Sequence, residues 1–226
     1  MQNYVAGKNP QTGEIDQRIY KDVYFVHNPE AKGFAELLVA VYQKTLEGNI
    51  GGLGNSTLQA VDLMERYGKD DLFIGSHSRG TLTMTNALSA LNTKENRDKK
   101  LLSGTDMKMV GPAADIENAD NKLNQLQGLG EKRTSSERSI RVENHEADLV
   151  GNWWIVGNNP DSGLDTNVHN KGRVRTILDI FSDTSTSSHN CYGLGQPQCI
   201  TDGYRDKGDQ LMHPEKTVYE LINPKK

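Results

Sequence analysis

Short apolar runs in this chain alternate with longer stretches in which apolar residues recur every three or four positions, the signature of strands leading into amphipathic helices. Asp22-Val-Tyr-Phe-Val26 has the composition of a buried strand and ends at His27-Asn28-Pro29. There Asn28 suits a helix N-cap and Pro29 the first helical position, and Phe34, Leu37, Leu38, Val41 and Tyr42 follow at helical spacing. After the glycine-rich turn Asn49–Asn55, Leu58, Val61 and Met64 predict a second helix, closed at Tyr67-Gly68 by a left-handed glycine. Leu72-Phe73-Ile74 predicts a strand, and Leu82, Ala87, Leu88 and Leu91 place a helix immediately behind it.

The charged segment Lys94–Lys100 reads as a solvated loop. Met107–Val110 is the next expected strand, stopped by Gly111-Pro112, and Ile116–Leu126 the next helix. A polar loop over Gly128–Glu137 leads to Ser139–Asn144, which alternates like a strand and runs into His145–Val150. Beyond Trp153-Trp154-Ile155-Val156 the chain is rich in Gly, Asn, Asp and Ser, and its pattern predicts no definite element. Strands alternating with helices argue for an α/β fold with a mostly parallel sheet covered by helices on both faces.

Within that pattern one segment carries chemistry. Gly75-Ser-His-Ser-Arg-Gly80 lies where the strand gives way to the helix, so Ser78 stands at the apex of a sharp turn, in the manner of a nucleophile elbow. Such a turn needs small flanking residues: Gly80 meets that need, and Ser76 replaces the first glycine of the strict G-x-S-x-G pattern. The alternative is an ordinary strand-to-helix connection in which Ser78 caps the helix.

A serine hydroxyl is a weak nucleophile at neutral pH, so an elbow requires a histidine base oriented by a carboxylate, in the chain order Ser, Asp or Glu, His. Asp148 follows the Ser139–Asn144 strand and is expected on the same sheet edge as Ser78, although it would serve equally as a helix N-cap. Of the later histidines, His189, in the small polar loop Ser185–Gly193, is the chosen base and His213 the alternative. His169 reads as solvated, and His77 as support for the turn. The oxyanion formed during acyl transfer needs two amide donors, each contributing about 3 kcal/mol. Arg79 supplies one; the other is expected from His27-Asn28, because Pro29 has no N–H.

Composition narrows the field. The 226 residues suit one domain, with residues 1–18 read as an irregular extension. A formal charge of -4 from 26 basic and 30 acidic residues gives no electrostatic reason to expect nucleic acid. No apolar run approaches the roughly 20 residues of a membrane span, and the first ten residues lack the pattern of a secretory signal. The two cysteines, Cys191 and Cys199, flank a short turn-rich loop that a disulfide could close in an oxidising compartment; two free thiols are the other reading. No cofactor or metal is called for, since the histidines and cysteines lack metal-ligand spacing.

With these residues in place, the chain resembles the α/β-hydrolase superfamily, and in particular its lipase-like members. The elbow Ser76–Thr83, the leading Val26-His-Asn-Pro29 and the Ser188-His-Asn-Cys-Tyr-Gly193 loop are also similar to carboxyl-terminal domains of bacterial filamentous-haemagglutinin-like exoproteins, some of which are contact-dependent growth inhibition effectors. The likeness extends from about Tyr20 to Tyr192. It implies a Ser78–His189–Asp148 triad acting on a carboxylic ester, with a lipid or phospholipid as the leading substrate and Trp153-Trp154 as a pocket element or core packing. It further implies a secreted or cell-surface toxin domain, exported from elsewhere in a larger protein, with a cognate immunity protein as partner. A catalytically inactive binding module is the alternative expectation, and a nuclease toxin the third.

Overall fold

A computed structural model describes Tyr24, Val26 and residues 54–144, 148–152, 158–160, 192 and 215–224. In chain order these form α1 (Asn55–Tyr67), β1 (Leu72–His77), α2 (Arg79–Leu91), α3 (Lys94–Asp98), β2 (Thr105–Val110), α4 (Ile116–Gln127), β3 (Arg141–Glu143), α5 (Leu149–Asn152), β4 (Lys216–Thr217) and α6 (Val218–Ile222). The strands lie side by side in the order β1-β2-β3-β4. The first three are parallel, in a register that sets His77 beside Val110 and Val110 beside Glu143, and β4 runs antiparallel to β3. The fold is mixed α/β with a mostly parallel sheet.

The two-residue period of the strands sorts the side chains. Met107, Met109 and Val142, with Ile140 just before β3, are fully buried and meet Met84, Leu88 and Leu91 of α2 and Ile116, Leu123 and Leu126 of α4 in one core. Val218 of α6 and Met64 of α1 complete it. The intervening positions Lys108, Arg141 and Glu143 project from the other face of the sheet, where the Arg141 guanidinium lies 5.3 Å from the centre of the Phe73 ring.

Helix ends follow local chemistry. Asp115 caps α4 by accepting from the Asn118 N–H, and Gly128 ends it in the left-handed region at φ 76°. Gly68 does not do the same for α1, contrary to expectation: its φ is −60° and its conformation right-handed. What demands a glycine there is space, because a Cβ would come within 2.5 Å of the Met64 carbonyl oxygen and 2.7 Å of that of Leu101. The expected loop at Lys94–Lys100 contains the short helix α3, started by Thr93 accepting from the Asn96 N–H and braced by the pair Glu95–Lys99. Of the expected strand Asp22–Val26, Tyr24 and Val26 are described; neither is in a strand, and Tyr24 is half exposed, its ring stacked on Tyr67.

Candidate active site

Ser78 is the single residue between β1 and α2. Its φ of 53° and ψ of −127° lie outside every region that an L-residue populates comfortably, a strain of about 1–3 kcal/mol. A capping role does not account for it, since the Ser78 side chain makes no cap hydrogen bond. The turn instead delivers the hydroxyl to the carboxyl edge of the sheet with the first turn of α2 behind it.

Such a conformation persists only when its surroundings over-determine it. The Ser78 N–H donates to the Val110 carbonyl of β2 at 3.1 Å, continuing the ladder one residue past the strand. Its carbonyl accepts from both the N–H and the Oγ1 of Thr81, at 3.0 and 2.6 Å. Thr81 Oγ1 in turn accepts from the Ala114 N–H at 3.1 Å. The loop carrying Ala114 is held by the buried Asn159, whose Nδ2 donates to the carbonyls of Pro112 and Ala114, both at 2.9 Å, while its Oδ1 accepts from the Ile116 N–H. Thr81 and Asn159 are thus supports of the elbow that their residue types alone do not reveal. Gly80 is less constrained than expected, because a Cβ there would meet Ser76 Cβ at 3.8 Å, an ordinary contact. That spare room explains why serine is tolerated at position 76.

Arg79 occupies the first position of α2, so its N–H belongs to the set that a helix directs outward beyond its own turns, and its side chain is buried. Asp148 follows β3. Because β1 and β3 both run parallel to β2, Ser78 and Asp148 leave the sheet at the same edge, with β2 between their strands. Asp148 is fully buried, and its Oδ1 accepts from the N–H groups of Val150 and Gly151 at 2.8 and 3.2 Å, so the capping role foreseen for it is present. Gly151 must be a glycine, since a Cβ would run into the side-chain amide of Asn144.

The residue that links these pieces is Tyr192, to which the sequence pattern assigns no role. Its O–H donates to Asp148 Oδ2 at 2.7 Å, and its ring meets that of His77 edge-on, 5.9 Å between centres. Tyr192 is buried and therefore spans the distance between the aspartate and the residue next to Ser78. The signal available in sequence is weak: a tyrosine among small polar residues, whose hydroxyl must find a partner if buried.

Comparison of the chain with family models, with curated proteins and with solved structures gives no match in any of the three. The site therefore stands on its own geometry. Of the residues expected in it, Ser78, Arg79 and Asp148 lie on one sheet edge; His189, His213, His27 and Asn28 lie outside the described residues, as do His169, Trp153, Trp154, Cys191 and Cys199. Among the described residues, no helix is long and apolar enough to cross a membrane.

Proposed function

We propose that the protein is a serine hydrolase of carboxylic esters, built on an α/β-hydrolase-like sheet and acting by an acyl-enzyme. Ser78 Oγ attacks the ester carbonyl while the base, His189 with His213 as alternative, takes its proton; Asp148 orients the imidazole and stabilises its cation. The Arg79 N–H, with a second donor from His27-Asn28, faces the developing oxyanion. Collapse expels the alcohol, which receives the proton from the imidazolium, and water then repeats the sequence to release the acid. A lipid or phospholipid is the favoured ester, and delivery as the effector domain of an exoprotein, with an immunity protein as partner, accords with the resemblance of its elbow and Ser188–Gly193 loop.

The observation that carries this reading is the backbone of Ser78, strained at φ 53° and ψ −127° between strand and helix with no cap bond to account for it. Tyr192 adds support, because it is bonded to Asp148 and His189 precedes it in sequence by three residues, a tether that spans at most about 11 Å. Treatment with a fluorophosphonate probe, followed by intact mass, tests the proposal. One adduct on the parent and none on Ser78→Ala is the expected result. A folded parent that does not react at all overturns it in favour of the binding-module reading.

A further inference from the structure

We propose that Tyr192 is a positioning residue for the acid of this site: its hydroxyl fixes the plane in which Asp148 meets the base and tempers the hold of that carboxylate on the imidazolium. The inference rests on the serine-hydrolase reading above and deepens it.

Both oxygens of Asp148 are engaged, in different ways. Oδ1 takes the two backbone amides of Val150 and Gly151, which belong to the turn that follows the aspartate and would be there in any N-cap. Oδ2 takes the Tyr192 hydroxyl, 44 residues further along the chain, at 2.7 Å. That separation is the usual one for a hydroxyl donor, and an ionised carboxylate makes it a charge-assisted hydrogen bond. The ring needs no hydroxyl for its packing, since its contact with His77 is made by the aromatic edge. Phenylalanine would fill the same buried space, so the O–H is the part that packing does not explain.

A donor on a carboxylate stabilises its ionised form and spreads its charge. An aspartate so engaged attracts a neighbouring imidazolium less strongly than one with that oxygen open, and the imidazole gives up its proton at a lower pH. Among the described residues, the groups facing Asp148 include the Tyr192 phenol, the amides of Val150 and Gly151, and, across the tyrosine ring, the titratable His77.

The rate of fluorophosphonate labelling, followed from about pH 5 to 9 on the full chain, reads the base directly, because only neutral imidazole activates the serine. Tyr192→Phe is expected to move the acid limb of the profile upward by about half a pH unit. Fluorotyrosine in place of Tyr192, a stronger donor, is expected to move it downward, and this second variant keeps the whole side chain should the Tyr192→Phe change impair folding. A purely structural tyrosine would not produce opposite shifts. Both shifts persist in a His77→Gln background if they act through Asp148. A limb that stays put in both variants, or shifts that vanish with His77, overturn the role of Tyr192 while labelling of the parent leaves the hydrolase reading standing. A folded parent that does not label overturns both together.

Discussion

Asp120 and Asp148 stand at opposite ends of β3, equally deep in the protein, and are held by different partners. Asp120, on α4, reaches the amino end of the strand: its Oδ1 accepts from the Ile140 N–H at 2.7 Å and from Ser139 Oγ, and its Oδ2 pairs with Arg133 at 2.8 Å. Arg133 also donates to Gln127 Oε1 and the Glu137 carbonyl, so the pair ties α4, the following loop and β3 into one network. Burial pushes the Asp120 carboxyl up from its ordinary value, against the pull of Arg133, the Ile140 amide and Ser139. At the carboxyl end, Asp148 accepts from two amides and a phenol. The difference teaches that equal burial does not mean equal surroundings. A guanidinium pairs with one aspartate and ties it into the fold, whereas the other accepts from two amides and a phenol beyond the carboxyl end of the parallel strands, the end at which such sheets place their ligands.

The largest effect that would sharpen this contrast is expected at Asp148. Asp148→Asn keeps an acceptor for the amides of Val150 and Gly151, so urea unfolding should change by only about 1 kcal/mol, while the fluorophosphonate labelling rate falls about 10³- to 10⁴-fold. A variant that loses stability but labels normally would assign Asp148 to the fold alone. At the other end of β3 the pattern reverses. Arg133→Met leaves a buried carboxylate uncompensated and should cost about 3–5 kcal/mol by urea unfolding, with the labelling rate of the folded fraction unchanged. That loss should shrink as the pH falls, because a protonated Asp120 has no charge left to neutralise; a loss independent of pH would show that the guanidinium contributes by packing instead.

How far these features could be read from sequence depends on how local their causes are. β1, β2, α2 and α4 were legible because their apolar periodicity coincides with the faces they bury, and the elbow because strand, serine and helix are contiguous. Gly68 was misread because its constraint is a neighbour brought by folding, the Leu101 carbonyl, rather than its own dihedral angle. The helix at Lys94 was hidden by its charge, although Thr93 and the Glu95–Lys99 spacing were there to signal it. The place of Asp148 just beyond β3 follows from chain order, but its partner Tyr192 is fixed by a contact across 44 residues that no local pattern encodes. Asn159, 45 residues from Ala114 whose carbonyl it satisfies, is the same case.

The carboxyl end of the sheet should also prove less stable than it needs to be. Ser78→Gly removes a Cβ from a positive-φ position and sacrifices no cap bond, so it should raise stability by about 1 kcal/mol while abolishing labelling. No corresponding gain is expected from a glycine at Ser139, whose Oγ bridges Asp120 to the Tyr219 N–H. If Ser78→Gly destabilises the protein, the strain at the elbow is not a cost borne for function.

The smallest expected effect concerns a third carboxylate, that of Glu143 in β3 itself, which repeats the chemistry of Asp120 nearer to solvent. Lys108 joins Glu143 at 2.6 Å and Glu215, just before β4, at 2.7 Å, with the lysine side chain 25% exposed. Burial alone would pull the Lys108 ammonium down, but Glu143 and then Glu215 act the other way and together raise it. Its charged form is therefore favoured by the fold, and the contribution is complete below the unfolded value of about 10.5 and lost as the pH rises through the higher folded one. Lys108→Met should cost about 0.5–1 kcal/mol at neutral pH, several-fold less than Arg133→Met, because water already screens the group. Parent and variant should begin to converge in stability above pH about 10.5 and meet only beyond the higher folded value. A loss at neutral pH as large as that of Arg133→Met would mean that depth does not separate the two ion pairs, and that the β3–β4 edge is held as firmly as the core.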